Sequence, residues 1–142
     1  MEKLPPVEKV FEAWTAIADG RIEMQENSAT VSSSDGAKSY TVRWIGNNYS
    51  SDDNATFWRG YAGYPVLAVM MLQGLLPCDK SQLMLWKNVN WKELNTRYRN
   101  NYSKAVEEVA SQRNIDLKVA YSAAETVIDK LKNIPIEIKR KI

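Results

Sequence analysis

Near the N-terminus, apolar residues recur at spacings of three and four. Val7, Val10, Phe11, Trp14, Ile17 and Ala18 form one stripe after Pro5-Pro6, which predicts an amphipathic helix that Asp19-Gly20 ends. The period then changes. Ile22 and Met24 alternate with polar neighbours over 21–24, as do Ala29 and Val31 over 28–33, and 40–45 is rich in β-branched and aromatic residues. With Asp35-Gly36 as a tight-turn signal, these segments predict a three-stranded antiparallel meander. Residues 46–56 read as a loop, because their Asn, Ser and Asp side chains compete with the backbone for hydrogen bonds. Gly60, Gly63 and Pro65 punctuate an aromatic stretch. The segment 66–76 is apolar on nearly every side, which predicts a central core helix with Pro65 in its first turn.

Helical periods dominate the second half. A short helix is predicted over 80–87. Asn90 is a suitable N-cap for a long helix running to Gln112, with Trp91, Leu94, Tyr98, Tyr102, Ala105 and Val109 along one face. Asn114 or Asp116 caps a last helix whose stripe is Leu117, Ala120, Ala124, Val127, Ile128 and Leu131, and Ile134-Pro135 ends it. The tail 137–141 is either disordered or an edge strand. The fold class expected is α+β. A small antiparallel β-meander packs on an apolar helix, flanked by an N-terminal helix and a helical C-terminal half, all within one domain spanning 1–142.

Composition narrows the function classes. Hydrophobic content of 44% and charged content of 25% over 142 residues are those of an ordinary globular protein. The net charge of +2 is too small to argue for nucleic acid by itself. No apolar run reaches the ~18 residues that span a bilayer, so no membrane partner is expected. MEKLPPVEK lacks the basic start and apolar core of a signal peptide. A single Cys permits no internal disulfide, and a reducing cytoplasm is the simplest compartment. Five Trp and seven Tyr stand against two Phe, which points to a surface or groove that uses aromatics; a core built from Trp is the plainer explanation.

Residues 29–76 have the order of a known zinc-binding frame. Ser39-Tyr40-Thr41-Val42 looks like the strand before a Cys-x-Cys pair. Tyr49-Ser50-Ser51-Asp52-Asp53 falls where that pair and a polar pair follow. Gly63-Tyr64-Pro65-Val66-Leu67-Ala68-Val69-Met70 is similar to a Cys-x-His leading into an apolar helix. The frame resembles the SWIM-type zinc domain, and the resemblance places Tyr49, Ser51, Gly63 and Pro65 at the ligand positions. The chain has no His, and its one Cys, Cys78, lies beyond the frame. A structural zinc needs about four thiolate or imidazole ligands. The expectation is therefore a degenerate frame with no metal and no cofactor, followed by a helical extension over 80–142. Burial of Trp44, Phe57, Trp58, Tyr61 and Tyr64 is the expected substitute for the stability a zinc supplies. SWIM domains are associated with DNA binding and protein–protein contacts, which implies the same broad class here.

Trp58-Arg59-Gly60-Tyr61 with Tyr64 is the foremost binding candidate. An Arg among aromatics stacks on bases while its guanidinium pairs with phosphate. The plainer explanation is that these aromatics fill the region left by zinc. Arg97-Tyr98-Arg99 on the long helix is the second candidate, with Lys92 and Lys104 about a turn away, although charged helix faces are usually only solvated. The stretch from Lys130 holds five basic residues and one acid, suited to phosphate, to an acidic partner, or simply to water. Ser50 and Ser51 lack the adjacent base a nucleophile needs, and Asp52 with Asp53 offers too few oxygens for calcium. No Gly-rich phosphate loop occurs. A non-enzymatic binding module is expected. A protein–protein interaction domain comes first, and a DNA or RNA binder using Trp58, Arg59, Tyr61, Tyr64, Arg97 and Arg99 second. An enzyme comes third and would need a deep pocket with a perturbed carboxylate at Asp52 or Asp53. Exposed Trp or Tyr on the long helix would point to a homo-oligomer.

Overall fold

The first apolar stripe forms helix α1, Lys9–Ala18, in the computed structural model, which describes residues 3–142. Val10, Phe11, Ala13, Trp14 and Ala16 are its buried apolar residues. The sheet follows. Strands β1 (Ile22–Met24), β2 (Ser28–Ser32), β3 (Ser39–Ile45) and β4 (Asn48–Ser51) pair antiparallel in chain order, and β5 (Glu137–Ile138) joins β4 in parallel. The meander thus has a fourth strand where a loop was expected. Asn48 to Ser51 is polar in sequence, but it is paired on both sides, with Trp44↔Tyr49 on β3 and Tyr49↔Ile138 on β5. Ladder hydrogen bonds and the burial of Tyr49, only 2% exposed, outweigh the local loop preference. Of the two outcomes open for the tail, the edge strand is the one observed.

Ala29, Val31, Val42 and Tyr49 form the buried face of the sheet. Helix α2, Tyr64–Leu72, packs on α1 and on β1, β3 and β4, and Pro65 to Met71 are all buried. It is the central helix that all-round apolarity predicts, but it stops short of Leu76. Gly74 takes φ +79, its N–H bonds to Met71 O at 3.1 Å, and the Leu75 N–H bonds to Met70 O at 3.0 Å. This is a Schellman closure, with glycine at the left-handed position.

Helix α3, Lys80–Leu83, runs into a single 3-10 turn at Met84–Trp86. The long helix predicted from Asn90 is two helices, α4 (Trp91–Arg97) and α5 (Tyr102–Arg113). Asn90 caps α4 as expected, accepting from Glu93 N at 3.1 Å. Between the helices, Arg99 and Asn100 adopt φ +51 and +63, and Asn101 caps α5. Asn tolerates the left-handed region and favours N-caps, so the Asn pair breaks a helix that the apolar stripe would have continued. Helix α6, Leu117–Lys132, is capped by Asp116, whereas Asn114 closes α5 at φ +54.

The core joins the two halves. Buried residues from Val10 to Ile136 form one cluster. The Thr15 hydroxyl accepts from Trp91 Nε1 at 2.8 Å and donates to Trp86 O, while Gln82 accepts from Trp86 Nε1 at 3.0 Å. Each large apolar side chain buried this way contributes roughly 1.5–3 kcal/mol. No helix among the described residues is long and apolar enough to cross a membrane.

Candidate functional site

Beside this core, α1, the segment from Asp53 to Tyr64, and the α4–α5 region enclose a cleft of about 1120 Å³. Ligand sites commonly measure ~300–1,000 Å³, so the space is ample for a small molecule or a chain end. The lining has two layers. Lys9, Glu12, Asp53, Tyr61 and Trp91 are buried at the floor, and Trp58, Arg59, Lys92, Arg99 and Asn100 are exposed at the rim.

The floor is polar and internally paired. Lys9 and Glu12, one turn apart on α1, are 8% and 6% exposed and meet at 3.3 Å. Burial opposes the charge on Lys9, but Glu12, then Tyr102 and Tyr61, outweigh it, so its pKa lies above the usual lysine value. Lys9 Nζ also sits 4.2 Å from the centroid of the Tyr102 ring. For Glu12, burial pushes the pKa up, and Lys9 recovers only part of that shift.

Asp53 is satisfied differently. One carboxylate oxygen accepts from the Ser51 hydroxyl, and the other accepts from Thr56 N and Thr56 Oγ1, both at 3.1 Å. Thr56 Oγ1 in turn accepts from Gly63 N at 2.9 Å. A Cβ at Gly63 would overlap Asp53 Oδ2 and lie 3.0 Å from Thr56 Oγ1, so glycine is required here for space. Asp53 therefore caps the turn that opens the π-helical segment Ala55–Arg59. Asp52 is exposed and accepts from Thr41 N at 2.8 Å. The carboxyl that burial holds at a raised pKa is Glu12, which the sequence did not single out.

Two of the four positions that the SWIM resemblance assigns to ligands, Ser51 and Gly63, are bridged by this chain of hydrogen bonds. The residues there do not fit zinc. Ser51 is committed to Asp53, the Tyr49 hydroxyl donates to Gln73 at 2.7 Å, and Gly63 and Pro65 bring no side-chain donor. Among the described residues, no three His, Cys, Asp or Glu side chains converge to hold a metal.

At the rim, Trp58 is 66% exposed, so it does not act as a core filler. The Phe57 ring meets it edge to face at 4.7 Å, and the Arg140 guanidinium stands 5.4 Å from both ring centroids. Tyr61 is buried, and half-buried Tyr64 meets Tyr40 edge to face at 6.4 Å. Burial pushes the Tyr64 hydroxyl well above its ordinary pKa. Five cations line the cleft, Lys9, Arg21, Arg59, Lys92 and Arg99, against two carboxylates. Lys9 is tied to Glu12 and Arg21 to Asp19 at 3.7 Å. Among the described residues no carboxylate lies within ion-pair distance of Arg59, Lys92 or Arg99.

Of the residues singled out from the sequence, Trp58, Arg59, Tyr61, Tyr64 and Arg99 meet in this one cleft. Arg97 is outside its lining. It is held by Glu93 and by Glu108 at 2.9 and 3.0 Å, and the Tyr98 hydroxyl donates to the same Glu108 at 2.6 Å. The break after α4 separates Arg97 from Arg99. Lys9, Glu12 and Asn95 join the cleft without a local signal, because polar side chains beside an apolar stripe look solvated until another element covers them, and Tyr40 and Tyr102, read as parts of a strand and of an apolar helix face, line it as well.

A protein-family model, described as uncharacterised conserved protein UCP014422, matches residues 2–137. No curated protein and no solved structure matches the chain.

Proposed function

The chain belongs to that family, and we propose that it is a non-enzymatic binding module whose site is the cleft and whose ligand is anionic. One observation supports this most. Arg59, Lys92 and Arg99 are exposed around a single cavity with no carboxylate partner among the described residues, whereas neighbouring Arg97 is held by two. A net charge of +2 does not oppose the reading, because local placement, not the total, sets the field in a cleft. A protein partner would meet this surface through an acidic segment, and a nucleic acid through its phosphates. The concave shape favours a ligand that enters over a flat face that docks.

The test is a titration with tripolyphosphate and a short fluorescent single-stranded oligonucleotide at two salt concentrations. Binding is expected to weaken as salt rises. Arg59→Gln and Arg99→Gln should each lower affinity. No binding of either probe at low salt sinks the reading.

Glu12 supports a second reading. A buried carboxyl with a raised pKa at the floor of a cleft suits proton transfer. Under that reading a bound phosphate ester would be hydrolysed, water adding to phosphorus as the P–O bond to the alcohol breaks and Glu12 passing a proton to the departing oxygen, and Glu12→Gln would stop the release of phosphate. An ester recovered intact after prolonged incubation with the protein, as from a protein-free control, leaves binding as the function.

A further inference from the structure

We propose that the anion taken into the cleft is a nucleoside phosphate, its ring laid on Trp58 and its phosphate held by Arg59, Arg99 and Lys92. This rests on reading the cleft as an anion site and goes further by naming the ligand's flat group.

The five tryptophans differ in exposure. Trp14 and Trp86 are fully buried, Trp91 is 3% exposed and Trp44 is half-buried, yet Trp58 is 66% exposed. An indole presents ~150–250 Å² of largely apolar surface, and a chain that covers its other tryptophans wholly or in part leaves this one in water at the mouth of a cavity. Phe57 meets it edge to face and the Arg140 guanidinium stands 5.4 Å from its centroid, contacts that favour the observed setting of the ring and lower the freedom to be lost on stacking. Every nucleobase has a π-face, which makes an exposed, preset aromatic a general base platform.

The cations stand in the same cavity. Arg59 follows Trp58 directly, so ring and guanidinium leave adjacent positions of one turn. Guanidinium forks match phosphate geometry in pairs of hydrogen bonds, and Lys92 adds a point charge. Arg99 reaches the cleft from a backbone at φ +51, with Asn100 beside it at φ +63. Left-handed backbone at side-chain-bearing residues is unfavourable, and it tends to persist where the side chains are needed. Asn54 and Asn100 bring amides that can both donate and accept along a sugar or base edge. An acidic peptide would satisfy the cations but gives Trp58 no ring by virtue of its charge.

The same chemistry exists in a free nucleotide and at the end of a strand. The experiment is a titration of the full chain, read by tryptophan emission and calorimetry, with AMP, adenosine, ribose 5-phosphate, an adenylate trinucleotide and a glutamate-rich peptide. AMP should bind about tenfold more tightly than ribose 5-phosphate, the gain expected of one stacked base, and more tightly than adenosine. Trp58→Ala should bring AMP down to the level of ribose 5-phosphate without changing the latter, and Arg99→Gln should weaken both phosphates. Both side chains are exposed, so neither variant threatens folding. Equal affinity for AMP and trinucleotide identifies the free nucleotide, and tighter trinucleotide binding identifies the strand. If AMP and ribose 5-phosphate bind alike and Trp58→Ala alters neither, the ring is wrong while the anion site stands. If only the peptide binds, the nucleoside phosphate is overturned. If nothing binds at low salt, the anion site falls with it.

Discussion

Helix α2 and helix α4 both end in left-handed backbone, but they do so with different residues. After α2 the position belongs to Gly74, at φ +79, where no Cβ resists the turn and none would meet a neighbour. After α4 it belongs to Arg99 and Asn100 in succession, at φ +51 and +63. The first end only stops a helix and turns the chain. The second also presents two side chains to the cleft, and a glycine there would ease the backbone while removing them. The difference separates a turn set by conformation alone from one whose residues also line the cleft against local backbone preference. Gly63 is a third case. Its φ of −70 is ordinary, and glycine is needed only because Asp53 and Thr56 leave no room for a Cβ.

Gly63→Ala should have the largest effect. The methyl must displace a buried carboxylate that accepts from Ser51 and Thr56, so a loss of about 3 kcal/mol or more is expected, a fall in Tm on the order of 10 °C. Thermal unfolding by circular dichroism checks this. A near-normal Tm would mean that the Asp53 network yields easily and does not brace the cleft wall.

Alkaline pH comes next and distinguishes strain from charge. Burial raises the hydroxyl pKa of Tyr40, Tyr49, Tyr61, Tyr64 and Tyr121. Lys9 is also raised: burial opposes its charge, but Glu12 and then the tyrosines beside it outweigh burial. The unfolded chain loses these protons first, near pH ~10 for Tyr and ~10.4 for Lys. Stability from these groups is therefore complete below that pH and declines as pH rises toward the folded values. Backbone strain does not titrate, so an Arg99→Gly variant should decline in parallel with the wild type. Divergence of the two curves would show that Arg99 acts on stability through charge.

At neutral pH the two helix ends should respond in opposite directions. Gly74→Ala puts a Cβ where φ is positive and should destabilise by about 1 kcal/mol. Arg99→Gly should stabilise by roughly 0.5–1 kcal/mol while weakening anion binding. Urea unfolding and the binding titration read the two effects separately. Loss of stability in Arg99→Gly would mean that the side chain holds the turn together, and the contrast with Gly74 would fail.

Much of this was legible in the sequence, and the exceptions share a cause. Periodicity and residue type located α1, α2, α6 and the first three strands, Asn90 announced its cap, and of the two caps open for α6, Asn114 and Asp116, the structure uses Asp116. Strand β4 was hidden because Asn48 to Ser51 is stabilised by partners at Trp44 and Ile138, the latter distant in the chain. The break between α4 and α5 was hidden because Leu94, Tyr98, Tyr102 and Ala105 continue a helical spacing across it. Asn100-Asn101 was the local signal that disagreed, as Gly74 was for the early end of α2. In the cleft, Trp58 and Arg59 stood out by residue type. Lys9 and Glu12 looked like ordinary charges on an amphipathic helix, and only the covering segments make them a floor.

The smallest expected effect tests the cleft most sharply. Arg97 and Arg99 are two residues apart and equal in charge, and the sequence treats them as one basic surface. In the structure Arg97 is spent on Glu93 and Glu108 at an exposed site, and Arg99 faces the cavity. Exposed ion pairs contribute little and are screened by salt, so Arg97→Gln should leave Tm within the scatter of a thermal scan. It should also leave anion affinity nearly intact, because Arg97 lies outside the cleft lining and its exposed charge is screened by salt. Arg99→Gln should weaken binding and flatten its salt dependence. If both variants weaken binding equally, ligand is held by the general basicity of the helix surface, and the cleft loses its claim as the site.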